Sequence, residues 1–185
     1  MANLKASKRY AKGLLDYAIQ SKQDVLLYEE MQEVAQIVKE SRELQNFLRT
    51  PIVDNKKKKQ VLREILSSKS ELAKKFAELL VSHQRADLLG GAAYEYVKLY
   101  DERNDIVEVT ITTAEEIGDA TRFKLLSKVQ TLAPNKKLKV KSIINPEIIG
   151  GFIVKVGDQQ IDNSLKSKLH YLKQEFSENY YKPKF

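Results

Sequence analysis

The 185 residues suffice for one or two domains with a buried core, and 42% hydrophobic against 31% charged residues is the balance of a folding chain, which excludes a disordered polymer. No apolar run approaches the roughly 18–20 residues that a bilayer-spanning helix requires. Cys is absent and the only histidines are His83 and His170, which excludes thiol catalysis, disulfides, zinc–thiolate sites and most His-based metal chemistry.

Lys and Arg number 32 against 25 Asp and Glu, a net charge of +7 that raises nucleic acid or anionic lipid as a partner. The surplus is spread over both halves of the chain and forms no basic arm. Residues Met1 to Tyr10 lack the apolar core of a targeting peptide and run straight into an amphipathic pattern, so neither a signal nor a transit peptide is expected. Apolar residues at helical spacing predict about six helices in the first hundred residues: Lys5 to Gln20, Asp24 to Ser41, Glu43 to Arg49, Asn55 to Leu66, Glu71 to Gln84 and Leu88 to Tyr100. Pro51 ends the third, and Asp54 is placed to cap the fourth by accepting from first-turn amides.

After Asp101 the period becomes two. Val107, Val109 and Ile111 alternate with Glu108, Thr110 and Thr112 as a strand with one buried face, which sets a domain boundary at 105/106. A helix follows from Gly118 to Leu132, stopped by Pro134. Leu138 to Ile144 and Phe152 to Val156 read as further strands. Gly157-Asp158 makes a tight turn toward Gln160-Ile161, and a closing helix starts near Asp162 to Ser164 and fades toward Pro183. The expected fold is α+β: a six-helix bundle over 1–105, a module of three or four strands and two helices over 106–180, and a tail over 181–185.

The first helix carries two apolar stripes. Ala11, Leu14, Leu15, Ala18 and Ile19 form one, while Ala6, Tyr10, Gly13 and Tyr17 form a second roughly 130° away. The fifth is similarly over-apolar: Leu72, Phe76, Leu79 and Leu80 make its core face, widened by Ala73, Ala77 and Val81. Two readings follow. Either the two helices border a groove that receives an amphipathic helix from another protein, with Gly13 allowing close approach, or the bundle interior is simply crowded.

Other features have plain structural accounts. Gly150-Gly151 leads into a strand, and the chain has neither G-x-G-x-x-G nor G-x-x-x-x-G-K-[ST], so no phosphate loop and no cofactor are expected. The pair suits a bulge or turn before Phe152. Asp158 and Asp162 lack the further oxygen ligands of a calcium loop and suit turn and cap roles, so no metal is expected. The run Lys56 to Lys59 reads as a solvated first turn. His83, on the apolar side of the fifth helix, reads as a half-buried hydrogen-bonded residue, and His170 likewise; neither has the companions of a catalytic base.

The segment from Asn145-Pro146-Glu147 through Ile149-Gly150-Gly151-Phe152-Ile153-Val154-Lys155-Val156-Gly157-Asp158, followed by Ile161-Asp162-Asn163-Ser164 and Lys168-Leu169, resembles the C-terminal signature of the OSCP/delta subunit of the F-type ATP synthase. Arg9-Tyr10-Ala11-Lys12-Gly13-Leu14 is similar to that family's opening helix, Phe47-Leu48 with Pro51 to its mid-bundle motif, and Val107 to Ala114 to its first strand. The resemblance implies a non-catalytic stator subunit that links the F1 head to the peripheral stalk. It implies that a groove between helices one and five holds the N-terminal helix of an alpha subunit, with Tyr10, Gly13, Leu14 and Tyr17 on one wall and Lys75, Phe76, Leu79 and His83 on the other. It further implies that the second module contacts the b subunits, that Gly150, Gly151, Phe152, Gly157, Asp158 and Asp162 are structural, and that the chain is peripheral to the cytoplasmic face of the inner membrane. No homo-oligomer is expected. A basic RNA-binding or ribosome-associated module is the alternative, distinguished by steep salt dependence.

Overall fold

The computed structural model describes residues 2–118, 121, 123, 125, 127, 129–130, 136–157 and 159–177. The chain divides into two compact units, 1–103 and 104–185. The first is helical: α1 (Ala2–Gln20), α2 (Asp24–Glu40), α3 (Arg42–Arg49), α4 (Asn55–Ile65), α5 (Glu71–Ser82), a 3-10 turn (Ala86–Leu88) and α6 (Leu89–Arg103). The second holds β1 (Ile106–Thr113), β2 (Lys137–Ile144), β3 (Gly151–Val156), β4 (Gln159–Ser164) and a C-terminal helix (Leu165–Ser177), with helical backbone also at the described residues between 121 and 130.

In the helical unit, α6 lies against both α1 and α2 along most of its length. Two adjacent glycines permit this. A Cβ on Gly90 would stand 2.6 Å from Val38 Cγ1, and one on Gly91 would stand 2.8 Å from Ser7 Oγ, so a larger residue at either position would force the facing side chain to shift. Around this contact Ala11, Ala18, Met31, Ala92, Ala93 and Tyr96 are fully buried. Where α2 meets α6, the rings of Tyr28 and Tyr100 stack with centroids 4.3 Å apart, and Tyr28 Oη donates to Asp101 Oδ1 at 2.6 Å. Burial, followed by the Asp101 carboxylate, pushes the Tyr28 hydroxyl well above the usual phenol range, so it stays a donor.

Three of the helix starts, those of α3, α4 and α5, carry a side-chain cap. Ser41 Oγ accepts from Leu44 N, Asp54 Oδ1 from Lys56 N, and Ser70 Oγ from Ala73 N. Buried Glu30 on α2 accepts from both the backbone N–H and the hydroxyl of Ser70, tying α2 to the start of α5. The Lys56 to Lys59 run is not uniformly solvated. Lys58 is buried, and its Nζ donates to the carbonyl oxygens of Leu48 (2.8 Å) and Thr50 (2.7 Å). Those acceptors lie at the C-terminal end of α3, where helical carbonyls lack partners and a cation is favoured by the helix dipole.

The sheet order is β2-β1-β3-β4, with β1 and β2 parallel and the other neighbours antiparallel. Val109, Ile111 and Val154 form a core with Leu125 and Val129, flanked by Leu138, Val140, Phe152 and Val156. The alternation expected on β1 is therefore the one that packs. β4 runs through Ser164, so the closing helix begins at Leu165, later than its expected start. Gly150-Gly151 forms a turn, not a bulge. Gly151 has φ +77 and starts β3, and a Cβ there would lie 2.3 Å from the Asn163 carbonyl oxygen. Gly157 has φ +56 in the β3–β4 turn; Asp158 and the tail lie outside the described residues.

Ile149, exposed and β-branched, also adopts positive φ (68°), a conformation in which its Cβ crowds the backbone. Gly151→Ala is expected to lower stability by about 2–3 kcal/mol, whereas Ile149→Gly raises it by about 1 kcal/mol, both read from chemical denaturation midpoints.

Candidate functional site

Helix α1 commits one stripe to the core. Ala11, Leu14, Leu15 and Ala18 are buried, and Ile19 is half-buried beside them. The second stripe stays at the surface: Ala6 and Tyr10 are half-buried, Gly13 is exposed, and Tyr17 is 58% exposed. No atom lies within 4 Å of the position a Gly13 Cβ would take, so the space over the middle of this stripe is open. The Arg9 guanidinium sits 5.6 Å from the centroid of the Tyr10 ring and shields part of it through a cation–π contact.

Helix α5 is rolled relative to the sequence expectation. Its buried residues are Ala73, Phe76, Ala77, Leu80 and Val81, while Leu72 is half-buried and Leu79 is 44% exposed. The alanines thus form part of the core face, because α5 is packed by α4 on one side and by α2 and the Ala86–Leu88 turn on others. Leu79 leaves the core and joins exposed Lys75 on the outer edge. Leu14 and Phe76, expected as groove walls, are each only 6% exposed and belong to the interior.

His83 is exposed, not half-buried. The helix ends at Ser82, His83 is its C-cap residue, and the chain reverses at Gln84 with φ 57 as Arg85 N donates to Leu80 O. Its side chain therefore leaves the apolar face that helical continuation would have given it. His170 is likewise exposed on the C-terminal helix.

The two candidate walls share a neighbour. Both α1 and α5 pack on the short Ala86–Leu88 turn, whose Ala86 and Leu88 are buried. Of the expected groove residues, Gly13 and Tyr17 on α1 and Lys75, Leu79 and His83 at α5 are exposed, Tyr10 is half-buried, and Leu14 and Phe76 are buried. These residues are apolar or singly charged and assemble no catalytic group. Among the described residues, no group of three or more His, Asp or Glu side chains is placed to hold a metal ion.

In the second unit, Phe152 lines the sheet core from β3, and Gly150 accommodates Leu165 of the C-terminal helix. Asp162 fixes the entry to that helix. Its Oδ1 accepts from Ser164 N at 2.9 Å and its Oδ2 from Ser167 Oγ at 2.7 Å, while Ser164 Oγ accepts from Ser167 N at 3.2 Å. The Ser164 backbone N–H first, and the Ser164 and Ser167 hydroxyls after it, hold the Asp162 carboxyl below the usual carboxylate range. Sequence spacing anticipated this cap role. It did not single out Lys58 or Glu30, whose burial depends on elements distant in the chain.

Comparison with known proteins places this architecture. The family model described as ATP synthase delta (OSCP) subunit matches residues 6–176. The ATP synthase subunit delta of Flavobacterium johnsoniae is 34% identical over 177 residues, covering 96% of this chain and 99% of the relative. The ATP synthase subunit delta of Chlorobium phaeobacteroides strain BS1 is also 34% identical, over 182 residues, covering 96% and 99%. A chain in the cryo-EM structure of the Toxoplasma gondii mitochondrial ATP synthase hexamer shares the fold with a TM-score of 0.68 at 20% identity, covering 92% of this chain and 96% of that one.

A lowered Asp162 pKa stabilises the fold above the ordinary carboxylate range, and that contribution is lost as pH falls through the folded-state value. The stability difference between the wild type and Asp162→Asn, followed by urea denaturation, is therefore expected to be largest near neutral pH and to shrink as pH falls below about 4.

Proposed function

The chain belongs to the ATP synthase delta (OSCP) subunit family, and we propose that it performs the family's stator role, linking F1 to the peripheral stalk, through a surface on each of its two units. In this reading the helical unit takes the N-terminal helix of the alpha subunit between α1 and α5, and the α+β unit meets the b subunits. The chain itself forms and breaks no bonds. It sits at the cytoplasmic face of the membrane through the complex; no helix among the described residues is long and apolar enough to cross a bilayer.

The observation that carries the first contact is the accessible stripe of Ala6, Tyr10, Gly13 and Tyr17, on a helix whose other stripe is already buried. An apolar stripe at i, i+3/i+4 spacing, open over a glycine, is complementary to another helix laid along it. If that helix removes about 500–700 Å² of mainly apolar surface from water, the gross gain is roughly 12–18 kcal/mol. Lost rotational and translational freedom offsets about 4–15 kcal/mol. Micromolar to nanomolar binding fits what remains. Attachment through both units would hold head and stalk together more firmly than either alone, because the second contact forms at a high effective concentration.

The RNA-binding alternative has no support. The family is that of an ATP synthase subunit, and one member of the most basic run, Lys58, is spent inside the bundle.

Gly13→Trp fills the open space over α1 without entering the core. Calorimetric titration with a peptide from the N-terminus of the cognate alpha subunit is expected to show at least tenfold weaker binding for this variant, with an unfolding midpoint no lower than that of the wild type. Wild-type affinity for the peptide should change little between 50 and 200 mM salt, in contrast to the roughly thousandfold loss expected of about six phosphate contacts. Equal binding by the variant, or affinity that collapses with salt, would contradict the groove assignment.

A further inference from the structure

The C-terminal helix, Leu165–Ser177, is fastened to its own unit at its start. The Ser164 cap and the packing of Leu165 on Gly150 hold the first turn, yet every described side chain from Leu165 to Phe176 is exposed. A 13-residue helix is marginal in water by itself, since helices in proteins are stabilised chiefly by burying one face. Here that face is only about half covered by its own unit. Leu165, Leu169, Leu172 and Phe176 are 46%, 55%, 44% and 84% exposed, and they recur at intervals of four, three and four residues.

We propose that this helix is one strand of a coiled-coil contact, and that its partner is a stalk helix with apolar a and d positions flanked by acidic residues. The proposal rests on the reading above that the α+β unit faces the b subunits, and it adds the mode of contact and the residues that make it. Intervals of four, three and four are those of the a and d positions of a heptad, which interlock only with another helix. With Leu165 and Leu172 at d and Leu169 and Phe176 at a, the flanking e and g positions are Lys166, Lys168, Lys173 and Glu175. Three of the four are cationic, so a partner with Glu or Asp beside its seam is complementary.

The same charges disfavour a second copy of this chain. A parallel pair sets Lys168 against Lys173, and an antiparallel pair sets Lys166 against Lys173. A lipid surface fits less well. Interfacial helices present a broad apolar face, whereas the apolar residues here keep to the narrow a/d stripe, with Tyr171 as the one large ring outside it. A seam of about 20 Å is short for a free-standing coiled coil, which suits an attachment reinforced by a second one elsewhere in the assembly.

The test uses the full chain with two probes in calorimetric titrations: the soluble C-terminal half of the cognate b subunit, and a synthetic 21-residue helix with Leu at a and d and Glu at e and g. Both are expected to bind. Leu169→Ala with Leu172→Ala should weaken both at least tenfold while Tyr171→Ala stays within twofold, all three chains unfolding at the same denaturant midpoint. Lys173→Glu should weaken the Glu-flanked peptide and favour a Lys-flanked counterpart. Unchanged binding of both probes by the double variant overturns the proposal, as does failure of the wild type to bind either. Seam-dependent binding of the peptide without binding of the b fragment would uphold the seam chemistry and overturn the stalk reading instead. A concentration-dependent dimer, or pelleting with phosphatidylglycerol vesicles, that is abolished by the double variant in the absence of peptide binding would assign the seam to a second copy or to lipid and overturn the proposal.

Discussion

Gly90 and Gly91 let α6 lie against α2 and α1 at once, and the helical unit is organised around that close approach. A side chain at either position would meet Val38 or Ser7 well inside van der Waals contact. Two glycines inside a helix cost about 1 kcal/mol each in helix propensity, and the interlocking of Ala11, Ala18, Ala92, Ala93 and Tyr96 around them offsets that cost. The arrangement has a directional consequence. Because α1 packs chiefly through the face that meets α6, its second apolar stripe is left partly at the surface, with Ala6 and Tyr10 half-buried and Gly13 and Tyr17 exposed.

The surface proposed for the alpha subunit is thus a by-product of how the bundle closes. The Ala86–Leu88 turn is packed by both α1 and α5, and the outward edges of those helices carry Tyr10, Gly13, Tyr17, Lys75 and Leu79. Polar contacts elsewhere tie the helices of the unit to one another. Glu30 holds the start of α5 and Lys58 holds the end of α3. The Tyr28–Asp101 hydrogen bond joins α2 to α6. A stator must transmit load without yielding, and buried, fully partnered polar groups resist sliding between helices better than apolar contacts alone.

Most of the architecture was legible from periodicity and punctuation. The switch from a helical period to alternation after Asp101, Pro51 ending α3, and Asp54 and Ser164 at helix starts are local signals with local causes. The misreadings share a different origin. Leu79 and the α5 alanines exchanged roles because the roll of a helix depends on what flanks it, which a helical wheel cannot contain. Lys58 reads as solvated in the sequence because its acceptors, Leu48 and Thr50, are supplied by the end of α3, and His83 reads as half-buried because helical spacing does not show that α5 ends at Ser82. Of the candidate site, the α1 stripe was legible residue by residue. Which residues of α5 face outward was not, although the family signature around Gly150-Gly151 identified the chain. The heptad seam of the last helix was also present in the spacing from Leu165 to Phe176, but only exposure distinguishes a free seam from a buried stripe.

The outer faces of α1 and α5 are proposed to form one surface for a partner helix. Amide hydrogen exchange on the full chain, with and without the N-terminal peptide of the cognate alpha subunit, tests it directly. Slowed exchange is expected in α1 around Tyr10 to Tyr17 and in α5 around Lys75 to His83, with the sheet and the C-terminal helix unchanged. Protection confined to residues 104–185, or protection of α1 without α5, would contradict it.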